Sequence, residues 1–368
     1  MNWRGAALRF CKVTGLPILE PFVRLIAGED RNEQFKGIAK FVLVPVVAVG
    51  LFLGFWSFSA RHVVANSVKL PGPKDTFTEG MRLFSAHFEQ KRIDAQKTRE
   101  KKIEALQLMQ NAKKSEQAAA AADGAEKEKL LANAATLKKR ALSAANYQAS
   151  SSPTFVDQIF NSLQTVTFGF VIATLIAVPI GVLCGMSPWF NAAITPLIQV
   201  FKPVSPLAWL PLATLVILSM SSGGSQWLPI AFLTSGITVC LCSLWPTLVN
   251  TTLGVSSVDK DYMNVAKVLK LSWTQQLFKI VLPASLPLMF AGMRISLGVG
   301  WMVLIAADML AQNPGLGKFV WDEYQNNNEI SFARIAFSVI VIGLIGLFLD
   351  RIMIFMRNLV SFGNPQAA

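Results

Sequence analysis

Apolar residues along this chain gather in blocks rather than on faces. The clearest block runs from Phe41 to Ala60, with VLVPVVAVGLFLGFWSFSA following Phe41 and no charge inside it. An amphipathic helix on a soluble core would show a polar face every three or four residues. About twenty apolar residues is instead the length a helix needs to cross a hydrocarbon layer of roughly 30 Å. Blocks of workable length recur at 39–60, 158–184, 194–219, 227–248, 285–308 and 333–355. The pattern predicts an all-α, polytopic membrane bundle of about six spans. Pro179, Pro203, Pro206, Pro211, Gly298 and Gly300 fall inside the spans. Membrane helices tolerate such residues where neighbours re-satisfy the freed backbone groups.

Between the first and second blocks the pattern changes. Residues 76–147 are rich in Ala, Lys, Glu, Gln and Leu, a helix-favouring mixture, and Asp123-Gly124 interrupts them with turn chemistry. Phe84, Phe88, Ile103, Leu106 and Met109 form partial stripes before the turn; Leu130, Leu137, Ala141 and Ala145 do so after it. This predicts an antiparallel helical hairpin within an insert, 61–157. It serves either as a solvated spacer or as a docking surface for a soluble partner, one that is anionic or acidic.

Basic residues in short loops orient the spans. Arg4, Arg9, Lys12, Arg24, Arg31 and Lys36 precede the first span, Lys260, Lys267, Lys270 and Lys279 lie between the fourth and fifth, and Arg351 and Arg357 close the last. Six spans place all three groups on one side, the cytoplasmic one. A cytoplasmic leader, 1–38, and a cytoplasmic tail, 356–368, then flank a core at 158–355. The leader is read as an interfacial helix or a solvated tail, because no cleavable signal sequence is visible. The insert, with half of the 34 lysines and arginines, falls on the far side, where loops beyond about sixty residues escape the charge rule. The net charge of +12 therefore says little about nucleic acid, and none is expected as a partner.

The loop at 256–287, SSVDKDYMNVAKVLKLSWTQQLFKIVLPASLP, carries two helix starts. Ser256 with Asp259, and Ser272 with Gln275, have capping-box spacing. Val258, Tyr262, Val265, Ala266 and Leu269 form one apolar stripe, and Pro283 and Pro287 predict a break before the fifth span. A helix lying flat on the membrane is the duller reading of the stripe.

On these residues the chain resembles the binding-protein-dependent ABC importer permeases. Their cytoplasmic signature reads Glu-Ala-Ala, three residues, Gly, nine residues, Ile-x-Leu-Pro. Ile280, Leu282 and Pro283 match its end and Ala266 its second alanine, whereas Asn264 stands for Glu, Val265 for Ala and Lys270 for Gly. Four further segments are similar to nitrate, sulfonate and taurine permeases: LPGP at 70–73, DQIFNSLQTVTFGF at 157–170, KPVSP at 202–206 and GMRISLGVGW at 292–301. AADMLAQNPGLGKFVWDEYQN at 306–326 resembles the nitrate branch more than the sulfonate branch, with Asp308 where members commonly carry Glu. The resemblance implies the type I importer permease fold and a coupling helix that docks on a separate ATPase subunit. It also implies a substrate-binding protein outside, a second permease copy, and a small anion as substrate. Nitrate or nitrite comes ahead of cyanate, bicarbonate and sulfonates such as taurine.

Candidate path residues are Lys202 and Arg294, as fixed positive charges, with Gln164, Thr165, Thr167, Asn250 and Thr251 as polar linings. Arg294 has pairing and snorkelling as duller roles, and Asp308 reads as a structural partner or gate contact. His62 and His87 receive no role. Cys240 and Cys242 point about 200° apart on a helix, which suits packing better than a shared metal. No cofactor, metal or catalytic arrangement is expected. The phosphate-loop pattern is absent, since Phe319 follows Gly317-Lys318, so the ATPase must be another chain. A secondary transporter would show internal repeats and several intramembrane carboxylates, and a scaffold would leave the 256–287 loop unexplained.

Overall fold

The computed structural model describes residues 20–26, 31–65, 68–147, 149, 151–221 and 228–361. Arg4, Arg9, Lys12, Cys11 and the 362–368 end lie outside these residues. Two units are distinguished: residues 1–80 with 158–368, and residues 81–157.

The first unit begins with α1 (Glu20–Ile26) and α2 (Arg31–Ile38). A π turn at Ala39–Leu43 leads into α3 (Val44–His62). None of the apolar window of this first span is buried by the chain's own residues. A two-residue ribbon follows, β1 (Val64–Ala65) antiparallel to β2 (Val68–Lys69), with Val64 opposite Lys69. It folds the LPGP segment back onto the span, where the Trp56 indole N–H donates to the Pro71 carbonyl at 3.1 Å.

The core comprises α6 (Phe155–Met186), α7 (Pro188–Phe201), α8 (Pro206–Ser221), α9 (Ile230–Ser256), α10 (Lys260–Val268), α11 (Trp273–Gln276), α12 (Leu282–Ala311), α13 (Leu316–Asn326) and α14 (Glu329–Ser361). The helices α4 (Pro73–Ala120) and α5 (Ala125–Ala145) belong to the insert. Among the described residues five helices are long and apolar enough to cross a membrane, or six if α7 and α8, bent by 105°, form one broken span.

That bend corrects the expected span at 194–219. Pro203 supplies no N–H, and Pro206 steers Ser205 away from helical geometry, so the helix stops at Phe201. It restarts where the Ser205 hydroxyl accepts from the Leu207 N–H at 3.3 Å. The expected break before the fifth span is also corrected. Helix continues from Trp273 to Ala311 through a π turn at Leu277–Val281. The wider turn accommodates Pro283, whose ring would crowd the carbonyl four residues back.

Small residues bring the spans together, as membrane interfaces require when lipid is as apolar as the side chains. A Cβ on Gly292 would lie 2.9 Å from the Pro246 carbonyl oxygen of α9, and one on Gly181 of α6 would lie 2.9 Å from the Leu248 carbonyl oxygen. Next to Pro246 in α9 the neighbouring span supplies an acceptor: the Thr247 N–H donates to the Ser296 hydroxyl of α12 at 2.9 Å. Asn250 Nδ2 donates to the Pro246 carbonyl at 2.8 Å. Trp301 Nε1 ties α12 to α14 through the Ile342 carbonyl at 3.0 Å.

In the second unit α4 (Pro73–Ala120, of which 81–120 belong here) turns at Gly124, φ +65°, into α5 (Ala125–Ala145). The α4 seam reads Phe84, His87, Lys91, Asp94, Thr98, Lys101, Ala105, Leu108, Ala112, Ser115 and Ala119, alternating steps of three and four. Its distal half is apolar, with Ala105, Ala112 and Ala119 buried, as are Ala134 and Ala141 on α5. Its proximal half is mostly polar and meets Ser151, Thr154 and Asp157 instead. His87 Nδ1 lies 2.6 Å from the Thr154 hydroxyl, the Ser151 hydroxyl donates to Asp94 at 2.6 Å, and Lys91 pairs with Asp157 at 3.3 Å. The expected stripe was misplaced: Phe88, Ile103, Leu106 and Met109 are exposed, because alanines form the seam and allow close helix approach.

Candidate functional site

The 256–287 loop presents one apolar face to the chain and another to the outside. Ser256 does not cap α10, as its spacing suggested; α9 runs on to Ser256, whose hydroxyl donates to the Leu253 carbonyl at 3.1 Å. Asp259 takes the capping position, accepting from the Asp261 N–H at 3.0 Å. The Ser272–Gln275 capping box is formed on both sides, at 3.4 and 3.1 Å. Between the two starts, Lys270 adopts φ +49°. The Leu271 N–H reaches the Ala266 carbonyl and the Lys270 N–H the Lys267 carbonyl, each at 3.0 Å. This is the hydrogen-bond pattern of a Schellman stop, whose left-handed residue is usually glycine. Lys270 therefore fills the glycine position of the resembled signature with the glycine conformation.

On the inner face of α10, Ala266 is buried. Met263 packs against a cluster of Val182 from α6, Val255 from α9, and Leu277 and Val281 at the foot of α12. On the outer face Tyr262, Val265, Val268 and Leu269 are 53–81% exposed, and Trp273 is exposed beside them. The expected stripe thus divides, with Ala266 turned inward and Val268, absent from the stripe as read from sequence, the most exposed of these four outer residues. Val258, Ile280 and Leu282 are half-buried; Asn264, Lys270 and Pro283 are exposed.

At the other end of α12 the polar groups turn inward. Asp308 has no exposed surface; it accepts from the Ser162 hydroxyl at 2.8 Å and from Asn313 Nδ2 at 2.7 Å. Asn313 Nδ2 also reaches the Thr165 hydroxyl at 3.2 Å, and the Ser162 hydroxyl accepts from the Leu316 N–H at 2.9 Å. A Cβ on Gly315 would overlap the Asp308 carboxylate and one on Gly317 the Ile305 carbonyl. The glycines of the 306–326 segment are thereby explained. Beside this knot Arg334 of α14 pairs with Glu323 of α13 at 3.1 Å and with Glu79 of α4 at 3.6 Å. The first turns of α4, 73–80, therefore join the end of the bundle opposite α10.

The candidate path residues fall in three places. Lys202 ends α7 at the bend and is exposed. Next to it the Phe201 ring lies 5.7 Å from Trp209 and 6.2 Å from Trp245, and both indole N–H groups are buried with no partner among the described residues. Arg294 engages both oxygens of Asp350 on α14, its Nη2 at 2.9 Å, so its charge is already compensated. Gln164 and Thr167 share an exposed face of α6, three residues apart. Thr165 and Thr251 are buried. Among the described residues no hydrogen bond or ion pair joins Lys202, Arg294, Gln164 and Thr167.

A family model described as the binding-protein-dependent transport system inner membrane component matches residues 177–356. The nitrate import permease protein NrtB of Synechocystis sp. is 37% identical over 203 residues, 55% of this chain and 69% of that protein. The bicarbonate transport system permease protein CmpB of Synechococcus elongatus is 39% identical over 202 residues, 55% of this chain and 68% of that protein. A chain of the MetNI methionine ABC transporter, solved in inward-facing conformations, superposes with a TM-score of 0.46 at 13% identity, covering 54% of this chain and 94% of that chain.

Proposed function

As the chain belongs to the binding-protein-dependent ABC importer permeases, a multi-pass inner-membrane family of nitrate and bicarbonate type, we propose that it imports a small oxyanion, nitrate or nitrite, by alternating access. In this reading the 256–287 loop and both termini are cytoplasmic, and two copies of the chain form the pathway. A separate ATPase subunit closes on α10, and a substrate-binding protein delivers the anion on the far side.

The observation that carries the reading is the two-faced α10. Its exposed Tyr262, Val265, Val268 and Leu269 form the apolar face that a groove on an ATPase would cover. Its inner face, through Met263, rests on α6, α9 and the foot of α12 at once. A push on this short helix therefore moves three spans together. Lys202, at a helix bend among unpartnered indole donors, is the fixed charge best placed to attract an anion. Gln164 and Thr167 put polar groups on an otherwise apolar exposed face with Phe160, Val171 and Leu175, which suits a wet path better than lipid. Nitrate is favoured by the GLGKFVWDEYQN run; bicarbonate remains the second reading because the bicarbonate permease is as similar as the nitrate one.

The test is labelled nitrate uptake in cells with and without the gene, with nitrite, bicarbonate, cyanate and taurine as competitors. Loss of nitrate uptake on deletion, with competition by nitrite and not by taurine or bicarbonate, is expected. Unchanged nitrate uptake with bicarbonate uptake lost would reassign the substrate. Unchanged uptake of every anion would remove the importer reading.

A further inference from the structure

The helix α4 carries a second stripe that the hairpin does not use. Its seam toward α5, Ser151, Thr154 and Asp157 occupies one side. On another side Phe88, Arg92, Ala95, Arg99, Ile103 and Leu106 follow each other in steps of three and four, with Gln96 beside Ala95. All seven are exposed, Phe88 and Leu106 each at 66%. Arg92, Ala95, Gln96 and Arg99 line one depression on the helix surface. Residues at i, i+3, i+4 and i+7 are the four that form a hole for a side chain of a facing helix. Here the floor is the small Ala95 and the walls are two guanidinium groups and an amide. Ile103 and Leu106 continue the stripe as apolar anchors.

We propose that this stripe is the docking surface for the acidic, helical face of a soluble protein, the substrate-binding protein of this importer. The inference rests on the permease reading for the partner's role, and on the stripe's own chemistry for its kind. The stripe holds two arginines and no carboxylate, so a second copy of the same stripe would set like charges against each other, whereas acidic side chains would pair with both. A hole floored by alanine receives a side-chain knob; a lipid headgroup layer has none to insert. The root of α4 also lies at the end of the core opposite the ATPase-facing loop, since Glu79 pairs with Arg334 there. That is the end at which the proposed import cycle receives its substrate. Arginine is one of the residues in which protein interfaces concentrate their binding energy.

The experiment uses whole cells carrying the full chain. A photo-crosslinking amino acid replaces Ala95, and adducts are identified by mass spectrometry. In parallel, nitrate uptake is measured for the Arg92→Glu, Arg99→Glu double variant, for Ile103→Ser with Leu106→Ser, and for Lys127→Glu with Lys129→Glu as a charge-matched control on α5. An adduct with an acidic soluble binding protein is expected. Uptake should fall about tenfold in the first two variants at unchanged chain level, as lost steering and anchoring imply, and stay at the wild-type level in the control. Adducts with lipid alone, with a second copy of this chain, or with nothing overturn the proposal. So do stripe variants that transport normally, or a control that fails equally. If the wild-type chain supports no anion uptake, the permease reading fails instead, and the adduct alone then decides what the stripe binds.

Discussion

The two ends of α12 are finished in opposite ways. At its Ala311 end a carboxylate, a carboxamide and two hydroxyls are folded inward and hydrogen-bonded to one another, and glycines remove every side chain that would interfere. At its Leu282 end, polar residues cap short helices while valines, a leucine and a tyrosine stand exposed. Burying polar groups is tolerable only when each finds a partner, and exposing a compact apolar face is costly unless something covers it. The first end thus closes its polar groups on one another, whereas the second leaves an apolar face uncovered among the described residues.

The contrast can be broken most directly at Gly315. Gly315→Ala forces a Cβ into Asp308 and Ser162, and the fold should lose about 3 kcal/mol, read as a lower midpoint in detergent thermal unfolding. A midpoint within a degree of wild type would mean that the Asp308 knot does not hold that end together. At the opposite end Leu269→Glu should leave the thermal midpoint alone. Transport and transport-linked ATP hydrolysis should instead fall about thirtyfold, the effect of losing one interfacial hot spot of about 2 kcal/mol. Unaltered transport in that variant would sink the coupling role of α10.

The turn between the two short helices gives a smaller effect. Lys270→Val places a β-branched residue in left-handed backbone and should cost about 1–2 kcal/mol, while Lys270→Gly should be neutral or stabilising by less than about 1 kcal/mol. Equal behaviour of the two variants would show that the observed φ is unimportant. Smaller again is Arg294, which is half-exposed and paired with Asp350. Arg294→Gln and Asp350→Asn should each cost less than about 1 kcal/mol. A fall in uptake confined to the Arg294 variant would return that charge to the anion path; equal falls would assign the pair to packing between α12 and α14.

Smallest is a pH effect in the hairpin. The Ser151 hydroxyl bonded to Asp94 holds that carboxyl below the ordinary carboxylate range. A carboxyl depressed in the folded state contributes its stability above the unfolded value, about pH 4. The contribution is lost as pH falls through the lower folded value. Limited proteolysis of the intact chain should therefore show the 147–151 segment clipped at slightly higher pH in Ser151→Ala than in wild type. Identical profiles would mean that the bond is not formed in solution.

Much of the bundle was legible without coordinates, because a span declares itself by twenty apolar residues and needs no knowledge of its neighbours. The Ser272–Gln275 cap was legible for the same reason: its partners are three residues apart. Less could be read wherever a residue's role depends on distant chain. Ser256 had cap spacing, yet α9 extends to include it. The large apolar residues of the hairpin looked like its seam, yet alanines at 105, 112 and 119 form it, since small side chains show little in a hydrophobicity pattern. Arg294 reads from sequence as an anion contact or as a paired charge, because its partner Asp350 lies 56 residues away.

The sequence by itself determined a membrane chain of about six spans, an inserted helical hairpin, and a loop with capped short helices. Each of these is local, set by run length, helix propensity or spacing within a turn or two. Tertiary structure decided which face of α10 is covered, that α7 and α8 meet at a bend, and that Asp308 is buried against Ser162 and Asn313. It also decided which of the two stripes on α4 the hairpin consumes. These depend on burial and on partners far apart in the chain, and a periodic pattern records how often a residue type recurs without recording what it will face.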